Sequence, residues 1–408
     1  MRRFLLSLVL FAAPVACPIA AAQMGQMQMH HGPAGAACGD ATLRCASVAT
    51  PTFAPDGSLW VAWEAAGQVL AARSTDLGHS FAPAAAVTPA PTTLDTGPDS
   101  RPQIVVDRSG RVVVAYAIFK DKAYNGQILV ARSTDGGASF GAPKSLTDDT
   151  SSQRFDALGL DSDGRLFAAW LDKRDVVAAK RAGRDYVGAG LAFAWSDDGG
   201  ATFAAARIAQ DNTCECCRLG LAFAGSGRPA VLFRNVFGGT VRDHAVMTFE
   251  NPSTPGPTYR VSVDDWQINA CPHHGPSLAI SARGTYHAAW FTDGRVRQGL
   301  FYARSTDAGR HFSPPMAMGD SKHQLSRPQV LAVPGALWLA WKEFDGERTS
   351  IPVEVSRDDG VTWSAPEVVA RTTDASDHPL LVSDGHRAYL SWHTDKEGYR
   401  LLPLEEAP

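Results

Sequence analysis

One pattern of apolar and polar positions recurs seven times along the chain. A short apolar run is followed by a polar turn with glycine and then by a second apolar run that ends in an aromatic residue, as in "PTFAPDGSLWVAW". Successive copies end 53, 54, 63, 57, 51 and 51 residues apart, which identifies an internal repeat of one structural unit. We number these units repeats 1 to 7; they end at Trp63, Tyr116, Trp170, Phe233, Trp290, Trp341 and Trp392.

Each copy has the composition of a β-hairpin, with two runs rich in Val, Leu, Ala and aromatic residues around a tight turn. A third apolar run such as "QVLAARS" and a fourth such as "APEVVAR" follow the hairpins. Four strands in about 50 residues is the period of a β-propeller blade. We therefore predict an all-β fold, a β-propeller of four-stranded blades.

The number of blades depends on the two ends of the chain. After the seventh hairpin only "HTDKEGYRLLPLEEAP" remains, which suffices for one more strand. The segment "RCASVAT", residues 44–50, could supply the missing outer strand and pair the termini, so that no sheet edge stays open. We predict seven blades with this N/C-terminal strand closure; six blades is the alternative.

A second motif, S-x-D-x-G-x-x-aromatic, follows five of the hairpins. A folded turn accounts for it, because Asp can accept backbone hydrogen bonds, Gly permits positive φ, and the aromatic ring can fill the gap between blades. The copies "STDLGHSF", "STDGGASF", "SDDGGATF", "STDAGRHF" and "SRDDGVTW" begin at Ser74, Ser133, Ser196, Ser305 and Ser356.

These five turns resemble the Asp-box (BNR) repeats of the sialidase superfamily, over nearly the whole chain that follows the leader. The resemblance implies a sialidase-like propeller, although Asp boxes also occur in propellers that are not enzymes. Sialidases bind the substrate carboxylate with three arginines and use an Asp acid/base and a Tyr–Glu nucleophile pair. This chain departs from the family, since "TPTFAPDG" has no arginine where the R-I-P motif belongs and no nucleophile motif is recognisable.

The residues just before the inner strands occupy equivalent positions near the predicted axis. Four arginines and a histidine there would attract an anion and could bind a carboxylate in bidentate fashion. The alternative is that each arginine pairs with a local acid, such as Asp99 or Asp156. The seven positions hold Thr50, Arg101, Arg154, Arg218, Gly275, Arg327 and His378.

Residues 1–22 are typical of a signal peptide, because Arg2 and Arg3 precede "FLLSLVLFAAPVA" and "AAAQ" offers a cleavage point near Ala22. The apolar run is too short to span a bilayer, so we expect an exported, periplasmic or secreted protein without a transmembrane segment. Lipoprotein anchoring through Cys17 is the alternative. Residues 23–43 then form a flexible leader and residues 44–408 a single propeller domain. The net charge of −4 gives no reason to expect a nucleic-acid partner.

Two short stretches, "DNTCECCRLG" and "NACPHHGP", carry candidate ligands. The repeat phase places them in adjacent links on one face, so we predict a single cluster of Cys214, Cys216, Cys217, Cys271, His273 and His274. Thiolates and imidazoles bind Cu(I) or Zn(II), with Cys favouring the softer ion. Disulfides alone, or a redox-active mixture, are the alternatives in an oxidising compartment. We also expect a disulfide between Cys38 and Cys45.

The leader contains "QMGQMQMHHG", which offers Met27, Met29, His30 and His31 as further soft ligands. A leader of merely biased composition is the alternative. Together these features predict a non-hydrolytic propeller that binds copper rather than zinc. The rival functions are an exo-sialidase-type glycoside hydrolase that binds an anionic sugar through the arginine ring, and a disulfide-stapled scaffold for a protein partner.

Overall fold

The computed structural model describes residues 38–405 apart from Cys271, and this part of the chain is almost entirely β-structure. It contains a short 3₁₀ turn at Leu43–Cys45 and an eight-residue helix, α1 (Arg174–Arg181). No helix among these residues is long and apolar enough to cross a membrane. The prediction of an all-β fold is confirmed.

Each repeat forms antiparallel strands that pair in chain order, and repeats 3 and 4 are joined in one eight-stranded sheet. Repeats 1 and 2 contain β1 (Val48–Phe53), β2 (Leu59–Ala65), β3 (Gln68–Ser74), β4 (Ala85–Ala86), β5 (Gln103–Val106), β6 (Val112–Phe119), β7 (Gly126–Ser133) and β8 (Lys144–Ser145). Repeats 3 and 4 contain β9 (Gln153–Leu160), β10 (Leu166–Asp172), β11 (Ala189–Ser196), β12 (Arg207–Thr213), β13 (Gly220–Phe223), β14 (Pro229–Phe237), β15 (Val241–Thr248) and β16 (Thr258–Arg260).

The last three repeats have the same order, but the final sheet has three strands. They contain β17 (Ser277–Ile280), β18 (Tyr286–Asp293), β19 (Gln298–Ser305), β20 (Met316–Met318), β21 (Gln324–Val333), β22 (Ala336–Phe344), β23 (Thr349–Ser356), β24 (Glu367–Thr372), β25 (Leu380–Ser383), β26 (Ala388–Thr394) and β27 (Gly398–Pro403).

The first strand of every repeat packs against the first strands of the repeats before and after it. These contacts form a closed cycle, β1–β5–β9–β13–β17–β21–β25–β1. Such a cycle is the arrangement of a β-propeller, and we interpret it as seven blades around one axis. The links that enter the first strands therefore converge near that axis.

The hydrophobic core is divided into clusters that lie between neighbouring sheets. One cluster, for example, joins Trp60 of repeat 1 to Val114 and Tyr116 of repeat 2. Side chains that end the repeat hairpins are among the largest fully buried groups, including Trp170 and Trp290. The recurrent aromatic residue of the sequence pattern is thus explained by packing between adjacent sheets.

The five S-x-D-x-G turns share one hydrogen-bond pattern. In the second turn the Ser133 hydroxyl donates to Asp135 over 2.7 Å and accepts the N–H of Gly137 over 2.8 Å. Asp135 also accepts the backbone N–H of Ser139 over 3.0 Å. These bonds lower the pKa of Asp135 to about 2, with the Ser139 side chain contributing most. The carboxylates of these turns are therefore occupied in holding the turn, as the sequence predicts.

The predicted strand closure of the ring is wrong. Residues 48–50 belong to β1 and pair with β2, not with β27. The disulfide between Cys38 and Cys45, which the sequence predicts, closes a short loop ahead of β1, and Leu43–Cys45 within it forms a 3₁₀ turn instead of a strand. Arg44 instead donates two side-chain hydrogen bonds to the carbonyls of Asp395 and Lys396, beside the last hairpin. Among the described residues the last repeat and the segment ahead of β1 share no sheet, and side-chain hydrogen bonds join them.

Candidate metal centre

The three neighbouring cysteines lie in the turn that joins repeat 3 to repeat 4. β12 ends at Thr213, which forms a β-bridge with Asn235 of β14 and so joins the sheets of the two repeats. The backbone N–H of Cys214 then donates to the carbonyl of Arg234 over 2.8 Å. The Thr213 hydroxyl donates to the carbonyl of Ala189 over 2.6 Å. The turn is thereby fixed inside the molecule from its first residue.

Cys214, Cys216 and Cys217 are buried and their sulfur atoms converge. The Sγ atom of Cys214 lies 3.7 Å from that of Cys216 and 3.9 Å from that of Cys217, and all three sulfurs lie within 4.8 Å of one another. The three cysteines are not joined by disulfides in this arrangement. Metal–sulfur bonds of about 2.3 Å would place tetrahedral ligands about 3.8 Å apart and trigonal ligands about 4.0 Å apart. The observed separations match a metal-ligand set.

Two buried arginines lie beside this sulfur cluster. The Arg242 guanidinium donates to Cys214 Sγ over 3.2 Å. The pKa of Cys214 is lowered well below its ordinary value, first by hydrogen bonds from Cys216 and Cys217 and then by the charges of Arg234 and Arg242. The pKa of Cys217 is raised, chiefly by its hydrogen bond to Cys214. Of Cys214 and Cys217, Cys214 therefore loses its proton more readily, and thiolates are the form that binds metals.

The "CPHH" link lies against the cysteine link, as the repeat phase predicts. A Cβ on Gly275 would lie 2.1 Å from Cγ of Arg218 and 2.6 Å from its carbonyl oxygen, so the two links touch where only glycine fits. Burial is the main cause that lowers the pKa of His273 and the pKa of His274, the latter to about 3. Both imidazoles are therefore neutral beside the sulfur cluster.

The histidine side chains are nevertheless separate from the sulfur cluster. The ligand atoms that lie within 4.8 Å of one another belong to the three cysteines alone, among the residues that the structure describes. The ring of His274 stacks on Phe291, with 4.1 Å between ring centroids, and its Nδ1 atom is buried without a hydrogen-bond partner. The ring of His273 lies 6.1 Å from that of Phe155. Cys271, Met27, Met29, His30 and His31 lie outside the described residues.

The predicted arginine ring is present near the axis, but its members pair with aspartates. Arg101 donates to Asp377 over 2.5 Å, and Arg154 binds Asp95 with two hydrogen bonds of 2.5 and 2.8 Å. The other two arginines, Arg218 and Arg327, share the buried Asp99. Among the acids suggested by the sequence, Asp99 is thus a partner of two arginines. Asp156 has an unpartnered buried oxygen, and burial raises its pKa to about 7.

Several of these charges act on His378. Both of its ring nitrogens are buried without a hydrogen-bond partner in the described part of the chain. Burial holds its pKa well below the ordinary value, and the charges of Arg101, Arg218 and Arg327 lower it further. Lys342, which donates to the carbonyl of Ser376 over 2.8 Å, also lowers the pKa of His378 through its charge. The remaining equivalent positions, Thr50 and Gly275, place no charge here.

Sequence reasoning missed several residues of both sites. Arg234 lies in the apolar run "VLFRNVF" of β14. A charged residue in such a run is rarely buried without a polar partner, so the sequence could have indicated that Arg234 has one. Arg242 is the second residue of the neighbouring strand β15, and no comparable local signal marks it. Asp377 directly precedes His378 in the "SDHP" stretch and accepts its backbone N–H over 2.7 Å.

Comparisons with known family models and with curated proteins give no match for this chain. Solved structures do match. An ulvan lyase, a polysaccharide lyase determined with a glucuronic acid–sulfated rhamnose ligand, has a TM-score of 0.58 at 13% identity, covering 88% of this chain and 94% of the lyase. A Dyadobacter fermentans protein of unknown function has a TM-score of 0.54 at 16% identity, covering 76% and 95% of the two chains.

A Hadza microbial sialidase is also similar, with a TM-score of 0.50 at 14% identity, covering 86% of this chain and 74% of the sialidase. Identities this low bear on the fold alone. They support the resemblance to sialidases at the level of architecture. The chain has a sialidase-like β-propeller fold.

Proposed function

We propose that this protein is an exported, non-hydrolytic propeller that binds a soft metal ion, copper in preference to zinc, through Cys214, Cys216 and Cys217. The observation that carries the proposal is the convergence of three buried sulfurs at separations of 3.7 and 3.9 Å. Thiolate ligands select soft ions such as Cu(I). When bound, the ion would be held by these three sulfurs, with their side chains closed off from water.

The surroundings of the cluster support a metal site over a thiol-exchange site. The three cysteines are only 1–2% exposed, so a partner protein's disulfide has no direct access to them. The turn is also fixed by the salt bridge between Glu215 and Lys173, which measures 3.0 Å. The Cys38–Cys45 disulfide is consistent with export to an oxidising compartment. The Met and His residues of the leader would then assist capture of the ion.

A metal-competition experiment tests this function. The full exported chain, reduced and kept without oxygen, is titrated with Cu(I) against a chromophoric Cu(I) chelator. We expect one tightly bound ion per chain, retained in a Cys271→Ser control but lost in Cys214→Ser and Cys217→Ser. Absence of binding in the native protein, with its thiols found bridged, would contradict the proposal.

A small anion or anionic sugar at the axis is the second candidate function. The observation that favours it is His378. Both of its ring nitrogens are unpartnered in the described part of the chain, and the charges of three arginines and Lys342 add to burial in lowering its pKa. A fluorogenic sialoside assay and direct titration with sialic acid test it. Turnover or binding that disappears in Arg101→Ala and Arg327→Ala would favour this function, whereas an inert wild-type protein would exclude sialidase activity.

A further inference from the structure

Repeat 7 lacks the strand that fills the gap to the next repeat elsewhere in the ring. In repeats 1, 2, 4, 5 and 6 the fourth strand, or the residue just after it, carries an apolar side chain that packs among the residues of the following repeat. These side chains are 2–7% exposed and belong to Val87, Leu146, Val261, Met318 and Ala370. Among the described residues, repeat 7 has three strands and no such residue.

The strand register shows where the missing residue would lie. Val69 of repeat 1 lies opposite Glu64, and its carbonyl accepts the N–H of Val87 over 2.8 Å. Tyr399 of repeat 7 lies opposite His393 in the same register. The side chain of Tyr399 packs among residues of repeat 1. The missing residue would therefore lie beside Tyr399, between repeats 7 and 1.

The loop closed by the Cys38–Cys45 disulfide fills this gap. Cys45 and Ala46 are 9% and 2% exposed, and they pack in one cluster with side chains of repeat 1 and with Tyr399 of repeat 7. The 3₁₀ turn at Leu43–Cys45 packs against β27 itself. A short loop thus supplies the apolar side chains that a fourth strand supplies in other repeats.

Polar contacts attach the same part of the chain to both repeats. On the side of repeat 7, Arg44 donates to the carbonyls of Asp395 and Lys396, and these hydrogen bonds are exposed. On the side of repeat 1, the N–H of Ser47 donates to the carbonyl of Glu64 over 2.9 Å. Arg44 and Asp395 are 351 residues apart, so these contacts join distant parts of the chain. We call this contact between repeats 7 and 1 the closing junction.

We propose that the Cys38–Cys45 disulfide is a redox-sensitive latch that holds the closing junction shut. The cross-link joins residues seven positions apart and restricts the loop, so that its apolar side chains stay between the two repeats. Segments at the edge of a domain are poorly ordered unless they are tied down. After reduction only non-covalent contacts hold the loop, and the junction opens more often. An oxidising compartment would close the latch and a reducing one would release it.

The latch opens by thiol–disulfide exchange with a dithiol such as dithiothreitol. Cys38 is only partly buried, so a small thiolate can reach the disulfide. The reagent attacks one sulfur, its second thiolate resolves the mixed disulfide, and the reagent leaves as a cyclic disulfide. The loop gains two electrons and two protons and becomes two thiols. Oxidised glutathione reverses the step, because it takes up both electrons and is released as two glutathione thiols.

Hydrogen–deuterium exchange followed by mass spectrometry tests the latch in the full chain. The reporter is the buried N–H of Ala49, which donates across the closing junction to Asp377 Oδ2 over 3.1 Å. The matched control is the buried N–H of Val330 in repeat 6, which donates to Ser277 Oγ of repeat 5 over 3.0 Å. Each bond joins a backbone N–H to a side chain from a neighbouring part of the ring.

In Cys38→Ala we expect Ala49 to exchange at least about tenfold faster than in the wild type, as expected for the loss of a cross-link over a loop of this length. Val330 should exchange at its original rate. Wild-type protein treated with dithiothreitol should match Cys38→Ala, and oxidised glutathione should restore slow exchange. Dithiothreitol should change nothing further in Cys38→Ala, which shows that no other cysteine contributes.

The control amide separates a local latch from a general loss of stability. Exchange of Ala49 that stays slow in both Cys38→Ala and the reduced wild type overturns the proposal. Faster exchange of Ala49 and Val330 alike also overturns it, because the effect is then not confined to the closing junction. If circular dichroism shows that Cys38→Ala is unfolded, the reduced wild type decides. A selective and reversible increase at Ala49 supports the latch.

Discussion

Asp99 is the residue whose loss should most clearly reveal how the links around the axis are held. It lies in the link between repeats 1 and 2, and its two carboxylate oxygens accept hydrogen bonds from Arg218 and Arg327. Arg218 lies in the link before repeat 4 and Arg327 lies in β21, the first strand of repeat 6, so one carboxylate joins three separate parts of the ring. Asp99→Asn keeps the shape of the side chain but removes its charge.

The expected loss of stability follows from burial. The Asp99 side chain is 4% exposed and those of the two arginines 13% and 16%. Removing one member of a buried ion pair typically costs about 3–5 kcal/mol, because it leaves an uncompensated charge in the interior. The unfolding entropy is about 2 cal/mol/K per residue, or roughly 0.8 kcal/mol/K for residues 38–405. We therefore expect the melting temperature to fall by roughly 4–6 °C.

The stabilisation by Asp99 also depends on pH. Burial alone would raise the pKa of Asp99, but Arg327 and Arg218 outweigh burial and the net pKa is lowered from 3.8. The stabilisation is therefore fully present above about pH 3.8, the unfolded value, and is lost as the pH falls through the folded pKa. The stability difference between wild type and Asp99→Asn should shrink over that acidic range.

Denaturant unfolding followed by circular dichroism measures the effect. Asp56→Asn is a matched control, because Asp56 and Arg73 form an exposed salt bridge with side chains 56% and 43% exposed. Such an exposed ion pair contributes little to the free energy of unfolding. Adding Arg327→Met to Asp99→Asn should restore part of the lost stability, because it removes one of the two arginine charges that Asp99→Asn leaves unpaired. A loss in Asp99→Asn no larger than that in Asp56→Asn would refute the reasoning.

Two further predictions concern packing and a surface histidine. Gly360 and Gly57 have φ angles of +81° and +82°, but a Cβ would lie 1.9 Å from the Tyr302 hydroxyl oxygen at Gly360 and in open space at Gly57. Gly360→Ala should cost about 3 kcal/mol or more and Gly57→Ala about 1 kcal/mol in denaturant unfolding, and equal losses would contradict the packing argument. The hydrogen bond to Glu343 raises the pKa of His323, so this stabilisation is present below pH 6.5 and is lost as the pH rises through the folded pKa. NMR titration should give a pKa above 6.5 that returns to about 6.5 in Glu343→Gln; a wild-type value of 6.5 would count against the contact.

Much of the fold could be predicted because its signals are local. The S-x-D-x-G turns close their hydrogen bonds within a few residues, as Ser74 does with Asp76 and Gly78. The hairpins likewise join strands that adjoin in the chain. The strand closure was predicted wrongly because residues 44–50 have the apolar character of either an inner or an outer strand. Only the pairing partner distinguishes the two, and that partner is β2.

Part of the candidate sites could also be predicted from the sequence, because the repeat phase can be read from local patterns. The repeat phase indicates that the two ligand-bearing links are neighbours, and the structure places Gly275 directly on Arg218. Phase gives the position of a link but not the direction of its side chains. His274 therefore turns to Phe291 rather than to the sulfurs, a choice that depends on packing.

The sequence by itself determined the repeat, the hairpins, the Cys38–Cys45 disulfide and the grouping of three cysteines in one turn, because each depends on residues close together in the chain. Only the tertiary structure decided which charges meet. Asp99 is 119 residues from Arg218 and 228 from Arg327, and Arg242 is 28 residues from the cysteine to which it donates. Pairing over such distances depends on how the sheets close around the axis, and it decides both the partners of the arginine ring and the cations that face the sulfur cluster.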